Sequence, residues 1–509
     1  MALTDDTINA VKAAQSNAIQ KADPGWTQQS GNLGLTAYDL SAPAKLLYPV
    51  LTPLRNMIAR VSGSGGTATN WKAITAINVD RLPMGVSQGS RSGFIATTVE
   101  EYTAPYAGLG LEDFVNFEAE YAGEGFDDVK ARSVEGLLRS FLIGEEQILL
   151  AGNRSVVLAA PVVTAAEVAT GGSMTAGTYV VRCVALTPDG LARATVSAAG
   201  VKATISRTPG DGSAAQTLNG GSSAMSAASS AVNLSTPGTK SIFASVVPIP
   251  GAAAYAWYWG VAGAEKIGAI TATAQVSITA AANTAYQAFD ATGLSADHST
   301  DGLIFDGILS QVAKANSGAY WKALGAGTAA APGQGLTSDG AGGIVQIDDA
   351  LRAFWDKSRL SPDLIMVSAQ ELKNLTACLA STGTSPGFAF GINQGGSPGV
   401  KDLTLTGGTV IGAYLNKFTM SGGALVQIML HPNMPAGTML FYSRSLPYSL
   451  SGVQNVLQVK TRRDYYQLEW PLRTRRYEYG VYSDQLLQNF FPPAFGIITN
   501  IADKISTTA

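Results

Sequence analysis

The chain has 509 residues, 46% of them hydrophobic, with a formal net charge of -3 at pH 7 and only 14% charged residues. That is apolar material for several cores, which excludes a disordered chain and exceeds one ordinary domain. It also excludes a dedicated nucleic-acid binder, which needs clustered excess Lys and Arg.

Residues 1–45 mix a short helical-looking piece with Gly, Pro and Ser, which predicts an arm that lies on another surface. MALTDDTINAVKAAQ lacks a basic region followed by an apolar core, so no secretory signal is expected, and no long apolar run predicts a membrane span. LLYPVLTPLRNMIARV (46–61) is apolar, but Pro49 and Pro53 limit any helix to the part from Pro53 onward. After SGSGGTA, the strand-like runs ATNWKAITAIN and ATTVEEYTAPY flank a Gly/Ser-rich tip near 80–95, predicting a long β-hairpin. Two strands have two open edges and no core, so the ribbon needs something to lie against.

FDDVKARSVEGLLRSFLIGEEQILLAGN (126–153) is the clearest helix, with Val134, Leu137, Leu138, Phe141, Leu142, Ile148 and Leu149 at helical spacing. Asp127 or Asp128 can cap its start, and Gly152-Asn153 predict a left-handed stop. From 155 to 295 the chain changes character, with 11 charged residues in 141. GTYVVRCVALTPDGLARATVSA reads as strand, turn and strand, and AYAWYWG places Tyr255, Trp257 and Trp259 on one face of a strand. Short strands between turn signals suggest a β-sandwich of the immunoglobulin or fibronectin type III pattern, and the Ser-rich GSAAQTLNGGSSAMSAASSA reads as a loop. From about 300 the pattern is mixed. GGIVQIDDALRAFWDKSR is a helix with Ile344, Ile347, Leu351, Phe354 and Trp355 inward; SPDLIMVS is a buried strand. Ser368 and Glu371 form a capping box, and strands are expected around 403–411, 424–430, 437–442 and 456–482.

Catalytic and ligand signatures fail on physical grounds. GTSPG (383–387) has the nucleophile spacing, but Pro386 has no N–H for an oxyanion hole, and neither His298 nor His431 has a triad context. GSGGTA (63–68) precedes a strand where a phosphate site needs a helix N-terminus. Cys183 and Cys378 are the only cysteines, too few for a disulfide framework or a four-ligand zinc site, and favour a reducing, intracellular site of assembly. Glu145-Glu146 and Asp348-Asp349 are helical neighbours that diverge by about 100°, which predicts solvated faces or subunit salt bridges. No catalytic, cofactor or metal residue is assigned, and an enzyme is not expected. EWPLRTRRYEYGVY (469–482) stands out. Alternation puts Arg473, Arg475, Tyr477 and Tyr479 on one face and Arg476 and Glu478 on the other. Arg and Tyr are enriched where proteins meet, so this stretch is expected to be a subunit seam. Glu100 and Glu101 of the hairpin are the expected acceptors, with Asp127, Asp128 and Glu135, and Arg81 and Arg91 at the hairpin tip belong to the same expected interface.

In this order the segments resemble the major capsid proteins of tailed bacteriophages with the Hong Kong 97-type fold. The resemblance runs over 1–153 and 297–505: arm, LLYPVLTPLRNMIARVSGSGG, a hairpin like the E-loop, and a helix ending IGEEQILLAGN like the spine helix. IDDALRAFWDKSRLSPDLIMVS, HPNMPAGTMLFY and WPLRTRRYEYGVYSDQLLQNFFPPAFGIITNI look like the peripheral and axial domains. The resemblance implies an α+β fold divided into arm and lead-in (1–60), hairpin (61–120), spine helix (121–154), an inserted Ig-like sandwich (155–296), and peripheral and axial domains (297–509). It further implies a shell of pentamers and hexamers around double-stranded DNA, assembled in a host cytoplasm and found in the virion. Portal, scaffold or decoration proteins are possible partners, DNA contact is weak and non-specific, and no membrane is involved. Some relatives cross-link a hairpin Lys to a neighbour, and here only Lys72 lies between Arg60 and Lys130, which predicts a non-covalent shell. The insertion, expected to face outward, should fold independently and be dispensable for the lattice. An encapsulin-like compartment is the alternative, and a β-sandwich adhesin or carbohydrate-binding protein, motivated by Tyr255, Trp257 and Trp259, is the second.

Overall fold

Pro53 opens the helix α1 (Pro53–Met57), as the sequence predicts, because a first-turn residue needs no backbone N–H. The computed structural model describes residues 50–63, 65–77, 85–94, 97–123, 128–235, 238–340, 342–380, 412–420, 422–448 and 452–506. β1 (Ala59–Ser62) leads to the antiparallel pair β2 (Ala68–Ile77) and β3 (Thr97–Pro105), which form a two-stranded sheet of their own. β4 (Ala107–Asn116) joins a different sheet, and α2 (Phe117–Gly123) precedes the long helix α3 (Val129–Ala151). Asp128 caps α3 by accepting from Ala131 N at 2.9 Å, while Asp127 lies outside the described residues. The stop of α3 departs from expectation: Gly152 has φ −53°, and Asn153 is not left-handed either. Glycine is needed there for space. A Cβ on Gly152 would lie 2.5 Å from Phe305 O, where the chain returns across the helix end.

The stretch after α3 contains β5 (Val163–Val168), β6 (Gly177–Leu186), α4 (Pro188–Arg193), β7 (Thr204–Arg207), β8 (Gln216–Asn219), β9 (Val232–Leu234), β10 (Ser241–Val246), β11 (Ala254–Gly260), β12 (Lys266–Thr271) and β13 (Gln275–Ile278). Sheets β13-β10-β5 and β12-β11-β6-β9 share one core, in which Tyr255, Trp257 and Trp259 pack with Val181, Ile242 and Ile278. The three rings share a face as predicted, and all are buried, so they offer no surface platform for a sugar. Three local expectations change, the first being that residues 194–200, read as the second strand after the turn, form none. PDGLAR is a helix rather than a turn, because Thr187 accepts from Gly190 N and Pro188 occupies the first turn. The Ser-rich segment is an ordered edge cover. Ser223, Ser226 and Ser229 each accept through Oγ from β6 (Ala185 N, Cys183 N, Val181 N), while their own N–H groups donate to the same three residues' carbonyls. Serines three apart thus complete the hydrogen bonding of a sheet edge without a strand.

The remaining elements are α5 (Ile308–Ala313), β14 (Tyr320–Ala323), β15 (Gln334–Thr337), α6 (Val345–Ser358), β16 (Leu364–Val367), α7 (Ala369–Ala380), β17 (Ala413–Asn416), β18 (Ala424–Leu430), β19 (Met439–Tyr442), β20 (Leu457–Glu469), β21 (Arg476–Asn489), β22 (Phe495–Thr499) and β23 (Ile501–Ser506). A six-stranded sheet runs β14-β22-β19-β16-β18-β17, giving an α+β architecture. Ile347, Leu351 and Phe354 of α6 pack with Ile365, Val367 and Phe441 of this sheet. Its alternate residues Leu364, Met366, Leu440 and Phe495 join Leu149 and Leu150 of α3 in a second cluster. Trp355, expected inward, is only half-buried. Ser368 accepts from Glu371 N at 3.3 Å, but the Glu371 carboxylate turns to Gly437 N and Asn374. The strand expected at 403–411 lies outside the described residues. The stretch 456–482, read as one strand, is β20 and β21 with a turn between them. They form a four-stranded sheet, β1-β20-β21-β4, with β1 parallel to β20.

Candidate functional site

The spine of the site is a buried carboxylate pair that the sequence hides. In α3, Glu145 falls four residues from both Phe141 and Leu149, so it lies in the apolar stripe; Glu146 sits likewise between Leu142 and Leu150. Both are buried, contrary to the solvated faces expected, because each has a separate set of donors. Glu146 accepts from Leu54 N at 2.8 Å and Arg55 N at 2.7 Å, supplying the N-terminal cap that Thr52 does not give α1. His431 Nε2 completes its shell at 2.8 Å, and Asn433 N donates to His431 Nδ1, which sets the tautomer with the proton on Nε2. Glu145 accepts from Arg60 Nη1 at 2.6 Å, Arg55 Nε at 3.2 Å and the Tyr465 hydroxyl. Arg60 also reaches Asp464 and Gln485. Burial opposes charge on Arg60, but Asp464 and Glu145 outweigh it and hold its pKa above the ordinary value. Burial and then Glu145 push the Tyr465 phenol up. The lead-in segment is thereby clamped to α3 and β20 just before the hairpin begins.

The hairpin beyond that clamp has no cover among the described residues. In its register Ile74 faces Val99 and Lys72 faces Glu101, on the same side as Ile77. Ile74 is 63%, Ile77 64% and Val99 54% exposed. Neither strand has a second neighbour among the described residues, so both outer edges are open there. Only the base is packed, where Trp71 stacks on Tyr102 with centroids 5.8 Å apart and meets Phe490 edge-on. Glu100 accepts from the Tyr102 hydroxyl, Glu101 and Arg91 are exposed, and Arg81 lies outside the described residues.

The Arg/Tyr stretch is a turn and a strand start. Arg473 and Arg475 sit in the exposed turn before β21, and Arg475 Nη2 lies 3.1 Å from Glu118 of its own chain. Arg476 binds Glu478 and covers the Phe114 ring; Tyr477 packs on Phe117 with Lys130 over it; Tyr479 is fully buried. The single alternating face predicted for 473–479 is therefore broken at Arg476, where the strand begins. The neighbouring surface was not legible in the sequence. Gly110 and Gly480 clear room for Tyr482 to lie on the sheet, since a Cβ on Gly110 would come within 2.2 Å of its ring. Tyr466 stacks on Tyr482 at 5.8 Å, Trp470 meets it edge-on at 6.2 Å, and Arg463 lies 4.0 Å over Tyr466. Of the other expected acceptors, Asp128 is engaged as a helix cap and Glu135 pairs with Arg139.

No group of three or more His, Cys, Asp or Glu that could hold a metal ion occurs among the described residues, and no described helix is long and apolar enough to cross a membrane. GTSPG lies outside the described residues, while GSGGTA leads into β2, a strand, as expected. Asp348 and Asp349 diverge to different lysines, Lys417 and Lys322. No family model and no curated protein matches the chain. Among solved structures it is similar to the capsid of a native GTA particle, with TM-score 0.42 and 8% identity over 92% of this chain and 96% of that one. The capsid of cyanophage A-1(L) gives TM-score 0.40 and 10% identity over 92% and 97%. A Synechococcus elongatus encapsulin complex gives TM-score 0.36 and 8% identity over 100% of both chains.

Proposed function

We propose that the chain is the major capsid protein of a tailed phage, with the Hong Kong 97-type fold, and that it assembles as pentamers and hexamers into an icosahedral head. The observation that carries this reading is the β2–β3 ribbon. Among the described residues it has two open edges and an apolar row more than half exposed, and is held at its base by Trp71 and, upstream, by the Glu145–Glu146 clamp. A two-stranded ribbon is marginal alone in water, and an exposed apolar strand pair invites aggregation unless a neighbour covers it. A lattice of identical copies supplies that neighbour to every ribbon. The turn arginines Arg473 and Arg475, with Arg476 and Tyr477 at the start of β21, are the proposed seam, and Glu100, Glu101, Arg81 and Arg91 the hairpin groups that meet it. Guanidinium forks suit carboxylates on a neighbour because they bind with two hydrogen bonds. Residues 155–296 form the proposed inserted domain. Its two chain crossings are tied together, with Asp301 N donating to Asn153 O and Arg154 N to Asp306. Contact with packaged DNA is weak and non-specific on this reading, consistent with the net charge of -3.

Negative-stain electron microscopy of the expressed full-length chain tests the proposal. Closed or ring-shaped particles are expected, and a dispersed monomer at all concentrations refutes it. Particles purified from a native source should contain DNA; a protein cargo in its place would select a compartment shell over a phage head.

A further inference from the structure

The loop between β12 and β13 leaves the inserted segment and is received at the corner between β22 and β23. Ala274 N donates to Asn500 Oδ1 at 2.6 Å, and Asn500 Nδ2 donates to Leu324 O at 2.5 Å. Asn500 is 4% exposed and has φ +61°, a left-handed conformation that Asn tolerates far better than most residues. Glycine would fit that backbone equally well but could not make the two hydrogen bonds. Beside it the buried Gln275 lies so close to Gly333 that a Cβ there would be 2.2 Å from Gln275 Nε2. Beyond the corner, Ile501 N donates to Gly437 O, Ala502 O accepts from Asn374 of α7, and β23 runs parallel to β15.

We infer that Asn500 is a stitch through which the inserted domain sets the position of the C-terminal strand β23. One side chain is shared by three segments that are remote in sequence: the insertion at Ala274, Leu324 just after β14 of the six-stranded sheet, and the corner that aims β23. Its amide is satisfied at both ends only when all three are in place, so ordering any one favours the other two. The insertion is then a working part of this sheet's rim. Removing it takes Ala274 N, the donor to Asn500 Oδ1, away from the corner.

Hydrogen exchange by mass spectrometry on the full-length chain tests the stitch with two variants. Asn500→Gly keeps the left-handed backbone free of strain and deletes only the side-chain bonds. Gln275→Ala trims the insertion side and leaves the corner's own residues intact. Both should speed exchange in 272–278 and in 501–506, on the order of tenfold for Asn500→Gly, with α6 and β16 unchanged. Acceleration of 501–506 alone in Asn500→Gly means that Asn500 shapes only its own corner, and overturns the inference. No change in either segment overturns it as well. If Asn500→Gly unfolds the whole chain, Gln275→Ala decides: acceleration confined to 272–278 refutes the coupling.

Discussion

A double-mutant cycle on Glu145 and Arg60 measures whether the clamp beneath the hairpin is a network or a set of independent contacts. Glu145 is buried, while the side chains of Arg60 and Arg55 are 19% and 21% exposed. Glu145→Ala takes the shared acceptor from both guanidinium groups and the Tyr465 hydroxyl, leaving Arg60 with Asp464 and Gln485 and Arg55 with Tyr465. Removing one partner of a buried pair costs about 3–5 kcal/mol, and the partial exposure of the arginines points to the lower end, ~3 kcal/mol. Arg60→Ala leaves Glu145 with Arg55 and Tyr465 and should cost ~2 kcal/mol. Once Glu145 is gone, the loss of Arg60 should cost little more, so the coupling is expected at about 1.5 kcal/mol. Urea unfolding of dilute, unassembled subunit, followed by Trp fluorescence, gives all four corners. Hydrogen exchange should show residues 53–62 opening in Glu145→Ala before α6 does. A coupling below about 0.5 kcal/mol would mean that the lead-in is held by other contacts and the clamp reading is wrong.

Arg473→Ala with Arg475→Ala should leave the fold within about 0.5 kcal/mol of wild type, since the Arg475–Glu118 pair is largely exposed, yet assemble poorly. Normal assembly at low protein concentration in high salt would place the seam elsewhere. Burial pushes the Glu371 carboxyl from 4.5 to about 7. The folded state then binds the proton more tightly than the unfolded one, so stability is highest below pH 4.5 in this respect and is lost as pH rises to 7. Glu371→Gln should therefore gain on wild type between pH 5 and pH 8, by on the order of 3 kcal/mol at most, in urea midpoints at the two values; an equal offset at both refutes the titration. Lys72 sits midway along β2 opposite Glu101, so boiled particles should run as a single band near 52.6 kDa, and a ladder of multimers would reveal a cross-link.

Periodicity and punctuation alone determined several elements, because their causes are local. The Pro53 helix start, a cap at Asp127 or Asp128, the α3 stripe and the capping serine at 368 each depend on residues a few positions apart, and the strands of the β2–β3 ribbon are legible from their own alternation. The same rules placed Tyr255, Trp257 and Trp259 on one face of β11, and the structure buries that face. Other features needed partners distant in sequence. Glu145 looks like a surface residue until Arg60 and Tyr465 close over it, although its place between Phe141 and Leu149 was a readable warning. The Ser223, Ser226 and Ser229 spacing reads as a loop until β6 lies beside it and lends each serine a donor and an acceptor. Arg473 and Arg475 read as strand because alternation continues across them, while the pairing of β20 with β21 forces a turn there. Burial of a charge, the edge of a sheet and the site of a reversal depend on which distant segment arrives, and so only the tertiary structure decided them.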